Sequence, residues 1–181
     1  MNIGLLGADD LCKRNEIIFS EIDCETLLIH KETDLEQIDG LWLSAWRPMQ
    51  LARLLPLQKT LAQEMRKGLT IAASGAASCF LGQNGSLKLM NYKSYFRPQK
   101  TMTYRLLNVP SWPKQRFCAA FGAEIRFFAL APNLGIISKD TKGPVIIRQG
   151  NFLACSFLPE WTKEQEIYHY FRLMTNSSRR K

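Results

Sequence analysis

A chain of 181 residues, 46% hydrophobic and 10% aromatic, is long enough for one domain with its own core; its composition excludes disordered, collagen-like and disulfide-framework classes. Cys12, Cys24, Cys79, Cys118 and Cys155 are widely spaced with no C-x-x-C pair, and His30 and His169 are the only histidines, so the expectation is reduced thiols in the cytoplasm with no metal, no cofactor and no membrane span. The net charge of +8 is uneven: residues 1–45 carry ten acidic and three basic side chains, whereas residues 88–126 carry eight basic ones (Lys88, Lys93, Arg97, Lys100, Arg105, Lys114, Arg116, Arg126) against Glu124 alone. A surface of that kind suits an anionic ligand, an acidic partner or a polyanion, although solvated basic faces without a ligand are common.

In chain order, Ile3–Gly7 reads as a buried parallel strand, Leu11–Ile18 as a helix, and Glu25–Ile29 and Ile38–Leu43 as further strands. Met49–Gly68 has helical spacing, with a turn or kink expected at Pro56. Leu69–Ala73 is strand-like, and the small residues Ser74-Gly75-Ala76-Ala77-Ser78 then supply a sharp strand-to-helix elbow before Cys79. From Gly82 to Val109 apolar and polar residues alternate, which predicts antiparallel strands through the basic region until Pro110 and Pro113. Strands are expected again at Phe127–Leu130, Gly135–Ser138, Val145–Arg148 and Phe152–Phe157, followed by an amphipathic helix over Thr162–Met174. One domain over 1–174 is expected, with 175–181 a polar, basic and disordered tail. The alternation favours an α/β fold, a mostly parallel sheet covered by helices on both faces with a small antiparallel extension.

Three ordered blocks carry a resemblance. Ile3-Gly4-Leu5-Leu6-Gly7, Leu35-Glu36-Gln37-Ile38-Asp39-Gly40-Leu41, and Arg148-Gln149-Gly150-Asn151-Phe152-Leu153-Ala154-Cys155-Ser156-Phe157 with Pro159-Glu160 resemble the glutaminase subunit of pyridoxal 5′-phosphate synthase. That is the PdxT family of class I glutamine amidotransferases, and the correspondence runs from Met1 to about Met174. It implies a flavodoxin-like single domain, a place in vitamin B6 biosynthesis, and a protein partner, since working members dock on a synthase subunit and pass it ammonia.

The chemistry implied by the resemblance needs a thiolate at the elbow, a histidine base, an acid to orient it, and backbone donors for an oxyanion. Where the family has Gly-Thr-Cys-Ala-Gly, this chain reads Ala73-Ser74-Gly75-Ala76-Ala77, so Gly75 stands at the nucleophile position. Where the family has His-Pro-Glu, it reads Leu158-Pro159-Glu160, so the acid remains without its base. The glycine-rich oxyanion loop reads Ser44-Ala45-Trp46-Arg47-Pro48, the family's Arg-Ala-Pro reads Leu130-Ala131-Pro132, and its Leu-Gln-Gly reads Ala8-Asp9-Asp10. The resemblance therefore points to a non-catalytic relative in which Trp46, Arg47, Gly75, Leu158 and Glu160 lie together and Glu160 pairs with Arg47. Such a relative is expected to act by binding, either a protein (a synthase-like subunit or a second copy of itself) or a ligand in the remodelled cleft.

Two other readings start from the residues. Ser74 fits a displaced small-x-Ser-x-small elbow and is an alternative nucleophile for a hydrolase or amidotransferase, but it lacks a base, since His169 falls in the closing helix. Cys79, four residues past Gly75, is a relocated-nucleophile candidate that packing explains more simply. The aromatics Tyr92, Tyr95, Phe96, Tyr104, Trp112 and Phe117 interleave with the basic segment as a nucleic-acid platform would, yet no RNP-like or helix-turn-helix pattern accompanies them.

Overall fold

The computed structural model describes residues 1–52, 54–162 and 164–179, with the side chain of Arg179 excepted. Strands β1 (Asn2–Gly7), β2 (Glu25–Leu28), β3 (Gly40–Ala45), β4 (Thr70–Gly75), β7 (Gly135–Asp140), β8 (Gly143–Gln149) and β9 (Phe152–Cys155) form one sheet in the order β2-β1-β3-β4-β9-β8-β7. The pairs from β2 through β9 are parallel, while β8 and β7 are added antiparallel. β3 and β4 are buried along their whole length because helices cover both faces, which is why they read as unbroken apolar runs. Strands β5 (Lys93–Asn108) and β6 (Arg116–Phe128) form a separate two-stranded antiparallel ribbon with a bulge between Pro98 and Thr103.

The helices are α1 (Asp9–Ser20), α2 (Glu32–Leu35), α3 (Leu54–Arg66), α4 (Ser78–Leu81) and α5 (Glu166–Arg179). On one face of the sheet, Leu43, Leu57, Leu61 and Ile71 anchor a core beneath α3; on the other, Trp42, Phe19, Tyr168 and Phe171 pack α1 against α5. Within the second core, Trp42 stacks on Tyr168 with ring centroids 4.6 Å apart, and Phe19 meets both edge-on. Among the described residues no helix is long and apolar enough to cross a membrane.

Three local expectations are corrected. Pro56 does not kink α3: it occupies the third position, where a missing N–H costs no helical bond, and the interruption falls earlier, at a 3-10 turn over Pro48–Leu51. β6 replaces the short strand expected at Phe127–Leu130, and Ala129 ends it with φ +51°. The expected disordered tail is helical as far as Arg179; Thr175 is buried and its Oγ1 donates to Phe171 O at 3.0 Å. Arg180 and Lys181, the remainder of that expected tail, lie outside the described residues.

Candidate functional site

The carboxyl ends of β3, β4 and β9 are neighbours in the sheet, and each delivers one part of the site. β4 ends at Gly75 with φ +57°, and α4 begins three residues later, so the expected elbow is present. That left-handed conformation is strained for any residue with a Cβ, and enzymes hold nucleophiles in such turns. Here the space is taken. A Cβ built on Gly75 would stand 2.5 Å from Leu158 Cδ2 and 2.9 Å from Ala45 O. Leu158, buried between Ala8 and Leu11, thus fills the volume a nucleophilic side chain would need.

The backbone donors are also committed. Ala76 N–H, which follows the elbow position as an oxyanion donor does in hydrolases, donates to Ala45 O at 2.9 Å. Trp46 N and Arg47 N both donate to Gln50 Oε1, at 2.8 and 3.0 Å. The Trp46 ring covers Gly122 of β6, where a Cβ would meet it at 2.8 Å, and its Nε1 donates to Asp10 Oδ2 at 2.9 Å. Trp161 packs edge-on against Trp46, with the Arg14 guanidinium 3.9 Å above the Trp161 ring.

Glu160 is buried, and it does not pair with Arg47 as expected; Arg47 is exposed, its loop held outward by Gln50. The carboxyl instead ends a chain of buried hydrogen bonds. Tyr168 OH donates to Asn15 Oδ1 at 2.6 Å, and Asn15 Nδ2 donates to Ser44 Oγ at 2.8 Å. Ser44 Oγ also accepts from Trp42 Nε1 at 3.0 Å, so both its lone pairs are occupied and its own hydrogen goes to Ser74 Oγ, 2.9 Å away. Ser74 then donates to Glu160 Oε1 at 3.2 Å, with Leu43 O a second acceptor at 3.5 Å, while Oε2 has no partner among the described residues. Burial lifts the Glu160 carboxyl from the ordinary 4.5 to about 7, against the lowering influence of its own backbone N–H and the nearby serine hydroxyls.

Ser74 is fully buried, its hydroxyl is committed to Glu160, and His169 lies exposed on α5 outside the network. Cys79 is half-buried, and burial raises its thiol pKa, the opposite of activation. Of the five residues expected together, Gly75, Leu158 and Trp46 meet, with Ala45 beside them; Glu160 turns inward to Ser74 and Arg47 outward to solvent. The partners of Glu160 were missed: Asn15, Ser44 and Tyr168 sit in different elements, and only the polar identity of Asn15 amid the apolar face of α1 signals a buried bond.

The chain can now be set beside known proteins. No family model matches it. PdxT, a subunit of pyridoxal 5′-phosphate synthase, from Thermotoga maritima is 25% identical over 183 residues, covering 94% of this chain and 97% of its own. The same subunit from Carboxydothermus hydrogenoformans is 23% identical, covering 94% and 96%. Among solved structures, a glutamine amidotransferase superposes with a TM-score of 0.83 at 19% identity, covering 96% of this chain and 98% of the other. Over nearly its whole length the chain is similar to PdxT. A glutamine amidotransferase of Thermotoga maritima has the same fold, with a TM-score of 0.61 at 12% identity, covering 99% of this chain and 90% of the other. The chain shares the fold of these structures, and Leu158 and Trp46 pack beside its strand-to-helix turn at Gly75.

Proposed function

We propose that this PdxT-like chain is a non-catalytic glutaminase relative that acts by binding a protein partner, in the cytoplasm with its thiols reduced. The observation that carries this reading is the 2.5 Å approach of Leu158 Cδ2 to the Cβ position of Gly75. The site is filled as well as stripped of its nucleophile and base. The names of its relatives make a synthase subunit of the pyridoxal 5′-phosphate type the first partner to try. An anionic ligand is the second candidate, supported by the exposed cations of residues 88–126.

The test is glutamate release from glutamine by the wild type, Gly75→Cys and Gly75→Cys/Leu158→His, each with and without a synthase subunit. None is expected to turn over measurably. The single variant has no base to generate a thiolate, and losing one member of such a unit costs on the order of a million-fold. The double variant still has Ala76, Trp46 and Arg47 N–H groups bonded elsewhere, where one oxyanion donor is worth roughly 3 kcal/mol. Turnover by the wild type would overthrow the reading.

A further inference from the structure

A cleft lies at the end of the sheet opposite Gly75. β4 runs from Thr70 to Gly75, and five residues of strand place its first residue roughly 17 Å from the elbow. Beside Thr70 three segments meet: the end of α3, the turn between β8 and β9 at Asn151, and the last turns of α5. They border a cavity of about 520 Å³, a size that suits a small molecule. Hydrogen bonds tie its walls together: Thr70 Oγ1 donates to Ser178 Oγ at 3.2 Å, Ile71 N to Asn151 O at 3.0 Å, and Asn151 Nδ2 to Gly68 O at 3.4 Å. Gly68, with φ +101°, lies so near α5 that a Cβ there would stand 3.4 Å from Ser178 O. The walls are therefore fixed by the fold itself.

The lining is cationic. Arg148, half-buried, donates from Nε to Gly150 O at 3.0 Å and from Nη1 to Tyr170 OH at 2.9 Å, with its guanidinium carbon 5.6 Å from the Tyr170 ring centroid. Tyr170 in turn packs on Trp112 with centroids 5.5 Å apart, so the fork is held in one orientation. Both of its acceptors are neutral, and among the described residues Arg148 forms no ion pair. Neither does Arg66, which is exposed on the α3 wall. Lys67 is neutralised by Glu64 at 2.7 Å, and Asp39, outside the lining, accepts from Asn2 N at 2.7 Å. α3 ends here, and its carbonyl pole alone would disfavour an anion. The carbonyls of Gln63, Glu64 and Met65 are capped, however, by the N–H groups of Lys67, Leu69 and Gly68. Two uncompensated guanidinium groups remain.

We propose that this cleft binds a small phosphate monoester. At pH 7 such a group is close to a dianion, which balances both guanidinium groups where a carboxylate or a sulfate ester would balance one. An oriented arginine fork also matches phosphate oxygens geometrically, with two parallel N–H donors. Met65 and Met174 add a polarizable apolar wall for the body of the ligand. Ser177 Oγ gives its hydrogen to Leu173 O at 2.9 Å and so offers lone pairs, and Asn151 Oδ1 is a further acceptor, so a hydroxyl on that body has partners. The ligand class is thus a dianionic head on a compact body with an apolar face. The site is separate from the basic segment 88–126 and from the Gly75 elbow, and it does not depend on whether the chain turns over glutamine.

Titration of the full chain with phenyl phosphate, followed by backbone amide NMR shifts, tests it. Saturable shifts are expected at Gly68, Asn151 and Ser178. Inorganic phosphate should move the same amides with lower affinity, because it lacks an apolar body. Phenyl sulfate, alike in shape with a single charge, should bind about ten-fold more weakly than phenyl phosphate. Arg148→Gln should weaken phenyl phosphate by about ten-fold or more, and Arg66→Gln, at an exposed site, by a smaller factor. Arg148→Lys keeps the charge and loses the fork, so it should fall between wild type and Arg148→Gln. If circular dichroism shows that Arg148→Gln does not fold, Arg66→Gln and Arg148→Lys carry the test. The absence of saturable shifts, equal affinity for the sulfate, or unchanged binding by the folded variants would each overturn the proposal. So would phenyl phosphate shifts confined to residues 88–126, or tighter binding of a single-stranded oligonucleotide at the same three amides, which would assign the cleft to nucleic acid.

Discussion

Gly75→Ala isolates the packing of the filled site. The substitution adds one methyl group at a position with φ +57°, 2.5 Å from Leu158 Cδ2 and 2.9 Å from Ala45 O. The left-handed conformation costs an L-residue ~1–2 kcal/mol, independent of neighbours. Forcing Leu158 aside in a closed cluster adds ~1–3 kcal/mol of overpacking. Leu158→Ala alone removes a buried leucine, at a cost of ~2–5 kcal/mol. In the double variant the new methyl enters the vacated space, so the overpacking cost disappears and the total should fall short of the sum of the singles by ~1–3 kcal/mol. The Ala45 carbonyl stays where it is, so recovery is incomplete. Urea unfolding of all four proteins, with equal m-values confirming a common mechanism, measures the coupling. Additivity within about 0.5 kcal/mol would refute the claim that Leu158 occupies the nucleophile's volume.

Two further predictions concern the groups left around the elbow. Glu160 has a native pKa of about 7 against an ordinary 4.5, so between those values the native state binds more protons than the unfolded one. Stability therefore falls as pH rises through that window, by at most about 3 kcal/mol, and is level above it. Glu160→Gln should remove this slope, and equal pH dependence of the urea midpoint in wild type and variant would count against it. Gln50→Ala frees the Trp46 and Arg47 N–H groups, so their amide hydrogens should exchange faster at a stability cost of ~1–3 kcal/mol for the two bonds. Unchanged exchange at both amides would show that Gln50 does not hold the loop.

The central strands were legible because burial on both faces turns a parallel strand into an uninterrupted apolar run: Leu41-Trp42-Leu43 and Ile71-Ala72-Ala73 need no alternation to be read. β6 escaped notice for the complementary reason. Phe117, Ala119, Phe121, Ala123, Ile125 and Phe127 face inward with period two, but Ala120 and Gly122 on the opposite face must be small to lie under Leu158 and Trp46. A strand covered on its nominally outer face midway loses the polar half of its pattern there. At the site, motif positions were readable because they follow directly on the apolar runs of β3, β4 and β9, while the destination of Glu160 was not. Pairing with Arg47 looked reasonable from proximity in the motif, yet whether a carboxyl turns to solvent or to the core is decided by Asn15, Ser44, Ser74 and Tyr168, which meet only in three dimensions.

The retained acid is intelligible once its neighbours are considered together. Ser44 accepts two hydrogen bonds and passes its hydrogen to Ser74, whose own hydrogen then requires an acceptor; Glu160 Oε1 supplies it. Replacing Glu160 by an apolar residue would leave Ser74 only the longer bond to Leu43 O at 3.5 Å, whereas keeping it costs the desolvation that protonation near pH 7 relieves. Glu160 can therefore persist as a structural terminus with no histidine to orient. Leu158 and Trp46 lie on the other side of the same strand ends, where they pack with Trp161 and Met102. A surface built this way leaves little room above Gly75, which is the geometric support for the proposed binding role.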